Sequence, residues 1–378
     1  MAFLNRVLEP PTYGWDRKPT RRELFAELLR RVNIFKTRKN WAALTGWTTT
    51  LLLAIPFLVF FIKYFNPWLL LAGFVYGMVG LGSYGTIWFH RYCTHKAYTF
   101  RHPIFRFITR NLVVKIIPEE TYVVSHYVHH SISDEPGDPY NAQFGALYCF
   151  LADTNHQPIN KSLSRADYER VVKMLENTGH KANTYEQYLK WGSVIHPLRC
   201  WTHIVLNWAF WYTAFYLIGG HALACALFGG AYTWALGIRT FNYAGHAGGD
   251  LRHKDGVDFD RRNLSINQYW PGIVAGEWHN NHHLFPSGAR AGFLPHQIDF
   301  AWYYIKLLSL IGGVSHFNDF KKQFLDKHYE PFRRGEPATP YSGPPVAKAP
   351  EREAQARGLV DQREAAKSAA RTAKRRAA

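Results

Sequence analysis

Hydrophobic positions in this chain come in long unbroken blocks rather than in the alternating faces of a soluble domain. Residues 42–62 and 67–89 contain no Asp, Glu, Lys or Arg. Each block is long enough to cross a bilayer as a helix, with Pro56 expected to kink the first. The short "KYFNP" at 63–67 joins them as a hairpin. A third uncharged run, Cys200–Ile238, lies between Arg199 and Arg239 and carries "GGH" at 219–221. It reads as two short spans, 200–218 and 221–238, around a tight turn. Soluble helices rarely keep every face uncharged for five turns, so four buried soluble helices are the weaker reading.

Charge sets the orientation. Residues 1–40 hold ten Lys and Arg, whereas the two hairpin turns hold only Lys63. By the positive-inside rule both termini and the 90–199 stretch are cytoplasmic. The formal net charge of +17 suits either nucleic acid or an anionic membrane face. The basic residues crowd into Arg6–Lys39 and the C-terminal tail around apolar blocks, which is a membrane pattern. No nucleic-acid-binding motif is found, so no nucleic-acid partner is expected. Cys93, Cys149, Cys200 and Cys225 are widely spaced and predict free thiols rather than a disulfide frame. The first 40 residues are too charged for a cleavable signal peptide. "HQIDFAWYYIKLLSLI" at 296–311 predicts an amphipathic helix, lying on the membrane surface or packed on the cytoplasmic part. From Glu336 the chain is rich in Ala, Pro, Lys and Arg and predicts a basic, disordered tail.

Against this background the histidines stand out. "HRYCTH" at 90–95 gives His90 and His95, "HYVHH" at 126–130 gives His126, His129 and His130, and "HNNHH" at 279–283 gives His279, His282 and His283. All three boxes fall in segments that charge counting, which used no histidine, places in the cytoplasm. Positions i, i+3 and i+4 share a helix face. The second box fits a helix begun by Pro118, Glu119 and Glu120 and stopped by "DEPGDP" at 134–139. The third resembles it, with Pro271 before and Pro286 after. In the first box the spacing is i, i+5, about 140° around a regular helix. Either the rings reach a metal from two flanks or the helix loosens there. Imidazole suits iron, zinc and copper. Eight rings are too many for one ion, thiolates for a structural zinc are missing, and carboxylates do not fall at ligand spacing; Glu277, two residues before His279, points elsewhere on a helix. The residues alone therefore predict a histidine-rich dinuclear site beneath a bilayer. His246, in "NYAGH" just past the fourth expected span, is a ninth candidate.

The order HxxxxH, HxxHH, HxxHH around two membrane hairpins resembles the membrane fatty acid desaturases, above all the Δ9 acyl-CoA and acyl-lipid type. "HRYCTHKAY", "HHSISDEPGDPYN" and "GEWHNNHHLFP" carry the likeness, which runs over about residues 40–315. It implies an all-α integral membrane protein with four transmembrane helices as two hairpins and a helical cytoplasmic domain carrying a di-metal site. Two Fe2+ ions are implied, one on His90, His95, His126, His130 and His282, the other on His129, His246, His279 and His283. Asn242 would hold a water on the second. No catalytic residue beyond this centre is implied. The likeness further implies O2, a long-chain acyl-CoA or acyl-lipid substrate, and localisation in a bacterial inner membrane or the ER. The HPGG signature of fused cytochrome b5 is lacking, so a separate donor of ferredoxin, rubredoxin or cytochrome b5 type is expected. Two positions depart from the animal acyl-CoA enzymes: Val124-Ser125 stands for Arg-Asp, and Arg239 for Trp. An acyl-carrier-protein thioester stays open as substrate.

The resulting organisation is a basic segment 1–40, a desaturase domain 41–315, a helical extension 316–335 and the tail 336–378. The expected reaction is insertion of a cis double bond, Δ9 by default. A fatty-acyl hydroxylase on the same scaffold and a metal-binding transporter or receptor are the competing readings. A transporter should carry ionisable ligands near mid-membrane, whereas these boxes sit at span ends.

Overall fold

The computed structural model describes residues 3–246, 248 and 278–336, and the structural statements below concern these. The expectations for Pro271, for Glu277 and for the tail beyond Glu336 lie outside the described residues.

Helices dominate. Thr20 and Glu23 cap helix α1 (Arg21–Val32) reciprocally, satisfying two N-terminal amides. The basic N-terminal segment is fastened to the body of the protein. Arg6 pairs with Asp167 at 3.0 Å, Leu8 bridges to Ile159, and the buried Arg31 binds Glu27 and Glu9, each at 2.7 Å.

Three helices are long and apolar enough to cross a membrane: Arg38–Tyr64, Pro67–Thr94 and Pro197–Gly245. The first contains α2 (Trp41–Val59), which carries Pro56 inside it and then widens into a π-helical turn at Phe60–Tyr64. The second starts as α3 (Pro67–Val75). Its N-terminus is set by Pro67 at a position needing no amide and by Asn66 Oδ1, which accepts from the amides of Trp68 and Leu69 at 2.9 and 3.2 Å. The third contains a long helical run (Pro197–Gly237) interrupted at Gly219 (φ −148°, ψ 24°) and Gly220 (φ 66°, ψ −169°). Left-handed φ at Gly220 is open to glycine without steric cost. Leu51, Ile62, Trp68, Leu206 and Leu217 are exposed apolar side chains along these helices, as a lipid-facing surface requires.

Small residues bring the second and third of these helices into backbone contact. A Cβ built on Gly73 would lie 2.4 Å from the Ala226 carbonyl oxygen, one on Gly77 2.4 Å from that of Gly230, and one on Gly230 2.0 Å from that of Gly73. The spacing of four in both pairs is the small-xxx-small pattern of membrane helix packing.

One feature departs from the all-α expectation, and one expected helix is shorter than predicted. Tyr98–Phe100 (β1) and Val314–Phe317 (β2) form an antiparallel ribbon pairing Tyr98 with Phe317 and Thr99 with His316. Segments this short leave no readable period in a sequence. The ribbon also crosses the expected boundary at 315, tying residues of the extension to the segment after the first histidine box. The predicted 296–311 helix begins only at Phe300, because Asp299 Oδ1 caps the Trp302 amide at 2.8 Å, and runs to Leu310. It buries Ala301, Trp302, Ile305 and Leu308, while Tyr303, Leu307, Leu310 and Ile311 stay exposed. One face is thus packed on the protein, and the other is apolar and open.

Candidate metal centre

The first histidine box resolves its own spacing problem. Gly85–Thr94 is π-helical, and the His95 amide donates to the His90 carbonyl at 3.0 Å. Closing hydrogen bonds over five residues puts positions five apart one turn above each other. The two rings therefore face the same side, with centroids 4.9 Å apart.

The second box lies on the helix Glu119–Ser131 and the third on a short helix, His279–Leu284. Ion pairing and amide hydrogen bonds fix the relation of the third box to the first. Arg91 binds Asp299 through two contacts of 3.0 and 3.1 Å and donates to the Ala289 carbonyl at 2.8 Å. Asp299 also accepts the amides of Ala291 and Gly292. Asn281 donates to the Ala291 carbonyl and to Gln297.

Nine histidines converge in two groups. His90, His95, His126, His130 and His282 form one; His129, His246, His279 and His283 form the other; within each, the ligand atoms lie within 4.8 Å of one another. The folded arrangement splits the second and third boxes between the groups. His126 and His130 are i, i+4 and turn to the first group, whereas His129 turns to the second; His279 and His283 go to the second and His282 to the first. In the first group His282 Nε2 lies 2.9 Å from Nε2 of both His90 and His130, and His130 Nε2 3.1 Å from that of His126. In the second, His279 Nε2 lies 2.9 Å from His246 Nε2 and 3.0 Å from His283 Nε2.

Electrostatics favour a cation between them. Burial, followed by the neighbouring imidazoles, pushes His126, His130, His282 and His283 well below the ordinary histidine range. A neutral imidazole has one proton, and the carboxylates decide where two of them sit. Asp138 lies 3.0 and 3.1 Å from His129 Nδ1, and Asp134 lies 2.9 Å from His246 Nδ1. A proton held at Nδ1 leaves the Nε2 lone pair for a metal, the usual arrangement around a metal-bound histidine. Asp138 is itself fixed by the amides of Asp134 and Tyr140 at 2.7 and 2.8 Å. Asp134 adopts a left-handed φ of 58°, tolerable for aspartate and held here by that contact. The donor set fits one or more soft or borderline metal ions.

Histidine spacing does not single out these two aspartates; "DEPGDP" reads as a helix stop, although its place in the second motif is a usable signal. A third cluster is equally silent in the sequence. Glu119 binds His180 at 2.8 Å, with His203 nearby. Arg110 and Lys115 both pair with Glu119, at 3.3 and 2.9 Å. Burial alone would raise the Glu119 carboxyl, but Lys115, His180 and Arg110 hold it well below its usual range. Two resident cations make this a charge network rather than a metal site.

An apolar cavity adjoins both groups. Among the described residues, Leu81, Tyr84, Phe89, Ile116, Trp234 and Phe241 line it, together with His90 and His126 from one group and His279 from the other. Asn242 shares this wall, and Asp153, Gln157 and Arg239 form a polar patch. Arg239 binds Asp153 at 2.8 Å and stacks on Trp47 with its guanidinium 4.5 Å from the ring centre. All four cysteines are buried free thiols.

Long apolar helices and a buried histidine-lined metal site at the C-terminal ends of two of them define a helical membrane metalloprotein. The chain belongs to the fatty acid desaturase family, which it matches over residues 65–310, and is thus an enzyme of fatty acyl desaturation. It is 26% identical over 261 residues to "Delta-9 acyl-lipid desaturase 1" of Arabidopsis thaliana, covering 65% of this chain and 73% of that protein. It is 27% identical to the "Palmitoyl-monogalactosyldiacylglycerol delta-7 desaturase, chloroplastic" of the same plant, over 63% of this chain but only 58% of the relative. Against the "sn-1 stearoyl-lipid 9-desaturase" of Anabaena variabilis the identity is 27%, over 62% and 77% of the two chains.

Proposed function

We propose that this protein is an O2-dependent desaturase that introduces a cis double bond, Δ9 by default, into a long-chain acyl-CoA or acyl-lipid. One Fe2+ is held by His90, His95, His126, His130 and His282. The other is held by His129, His246, His279 and His283, with Asn242 placing a water. The observation that carries this reading is the pair of buried histidine groups flanking a single apolar cavity. A mid-chain methylene has no acidity, leaving group or polar handle, so acid–base side chains cannot remove its hydrogens. Iron held by these histidines would supply, with O2, the oxidising power for removing two hydrogens, and two electrons would come from a separate donor of ferredoxin, rubredoxin or cytochrome b5 type.

The chain's own residues do the placing. Leu81, Phe89, Ile116 and Trp234 exclude water and grip the acyl chain, while Arg239, Asp153 and Gln157 offer polar contacts for its carbonyl end. Asp134 and Asp138 hold protons at Nδ1, so that the ligand nitrogens keep their lone pairs.

The break at Gly219–Gly220 supports reading the third apolar helix as two spans, 200–218 and 221–238, and so four spans in two hairpins. Both termini and the metal centre then lie on the cytoplasmic side, and the apolar face of Phe300–Leu310 rests on the bilayer surface. Within the chain, residues 41–315 make up the catalytic domain.

Gas chromatography of host lipids with and without the expressed gene tests the reaction. A new monounsaturated acyl chain supports it and reports the bond position. A hydroxy fatty acid without an alkene shows the hydroxylase instead, and metal uptake without turnover shows a transporter.

A further inference from the structure

The reaction consumes electrons from outside, yet His129 and Asp138 are fully buried. One structural feature reaches them from the surface. His156 is fully buried, is no part of either histidine group, and hydrogen bonds through Nε2 with the Tyr13 hydroxyl. Tyr13 and Trp15 pack on it from the partly exposed N-terminal segment, with ring centres 6.0 and 5.9 Å away. On the inner side Tyr148 stacks nearly parallel on His156, 3.9 Å between ring centres. The Tyr148 hydroxyl donates to the Asp138 carbonyl at 3.3 Å, and the Asp138 carboxylate receives His129 Nδ1 at 3.0 Å.

Electron tunnelling weakens steeply across gaps and is carried best by bonds, short hydrogen bonds and stacked rings. This chain of contacts combines a stacked pair of rings with hydrogen bonds and one covalent stretch through Asp138. At its outer end the surface is basic. Arg17, Lys18, Arg21 and Arg22 are exposed, against Asp16 and Glu23. Lys18 lies beside Gly145, the N-cap residue of the Ala146–Phe150 helix that bears Tyr148. Exposed charges of one sign steer a partner of the other sign, which suits a small transient redox contact.

We propose that an acidic one-electron carrier protein docks on the 13–22 segment and that its electrons enter through Trp15 or Tyr13, His156 and Tyr148 to the Asp138–His129 pair. In each transfer the carrier is oxidised by one electron and the metal centre reduced by one, twice per double bond. No bond is made along the route. His156, Tyr148 and Asp138 are positioning residues for this transfer. The inference rests on the metal-centre reading above.

The test uses the iron-loaded full chain in nanodiscs and reduced plant-type [2Fe–2S] ferredoxin as the acidic probe. Three quantities are read: ferredoxin binding, the limiting rate of ferredoxin oxidation on rapid mixing, and reduction by dithionite, a small reagent needing no docking site. Lys18→Glu with Arg21→Glu should weaken ferredoxin binding about tenfold at low salt, with the difference closing at high salt, and leave the limiting rate unchanged. Tyr148→Leu should slow the limiting rate several-fold at unchanged iron content and unchanged dithionite reduction, and Tyr148→Phe, which keeps the stack on His156 but loses the hydroxyl on Asp138, should recover only part of it. Trp15→Leu, near the surface, provides a second variant that spares the core. The route is wrong if Tyr148→Leu and Trp15→Leu leave ferredoxin oxidation untouched, or slow ferredoxin and dithionite alike. Wild-type protein that accepts electrons from neither reagent would instead sink the metal-centre reading.

Discussion

Asp138 holds His129 by the wrong end for coordination and the right end for orientation: both carboxylate oxygens lie on Nδ1, at 3.0 and 3.1 Å, inside a fully buried pair. The other ring nitrogen is thereby turned toward His246 and His283. Losing such a carboxylate typically costs about 10–100-fold in metal affinity or activity. Asp138→Asn should therefore lower iron occupancy, measured by elemental analysis of purified protein, with the His129 group emptied first in a chelator titration. Unchanged occupancy and chelator resistance would remove Asp138 from the site.

His282 is the hub of the larger group, 2.9 Å from two other ligand nitrogens. His282→Ala is expected to abolish alkene formation and to lower bound iron. Near-normal iron and turnover in this variant would contradict its place as a ligand.

The contact of Gly230 with Gly73 leaves no room for a methyl group, since a Cβ would fall 2.0 Å from a carbonyl oxygen. Backbone cannot step aside as a side chain can. Gly230→Ala should destabilise the protein by about 1–3 kcal/mol or more, seen as a lower thermal midpoint in detergent. Gly237→Ala, where nothing lies within 4 Å, is the control and should have a small effect.

Glu120 gives a pH dependence with a defined sign. Burial pushes its carboxyl up to about 7, opposed by hydrogen bonds from Ser193, Val194 and Ile195. An acid whose folded pKa is raised keeps its proton better when folded. The contribution of Glu120 to stability is therefore fully present below the unfolded value of 4.5 and is lost as pH rises toward 7, by up to about 1.4 kcal/mol per unit. Glu120→Gln should retain the accepting oxygen, flatten that fall, and exceed wild type in thermal midpoint at pH values above 7.

Residues 336–378 are expected to be dispensable for the centre. Their removal should leave bound iron and the alkene product unchanged; loss of iron on truncation would show otherwise.

Long uncharged blocks and the eight boxed histidines were legible from composition and spacing, and the family from the resemblance of the motifs around those histidines, because each depends on residues close together in the chain. Helix periodicity also put His126, His129 and His130 on one helix face, and likewise His279, His282 and His283. What local pattern left open was how three distant boxes meet. The i, i+5 spacing of His90 and His95 was ambiguous until a π-helical turn brought both rings to one side. Asp134 and Asp138 looked like a helix stop until the chain folded back on His246 and His129. The ribbon between Tyr98–Phe100 and Val314–Phe317 joins residues more than two hundred positions apart, so no local period announces it. Sequence by itself determined which side chains are available and which stretches a bilayer accepts. Only the tertiary structure decided which imidazoles share a centre, which carboxylates orient them and which rings lead outward from them. Those relations are distances between segments remote in sequence, and only packing of the whole chain sets them.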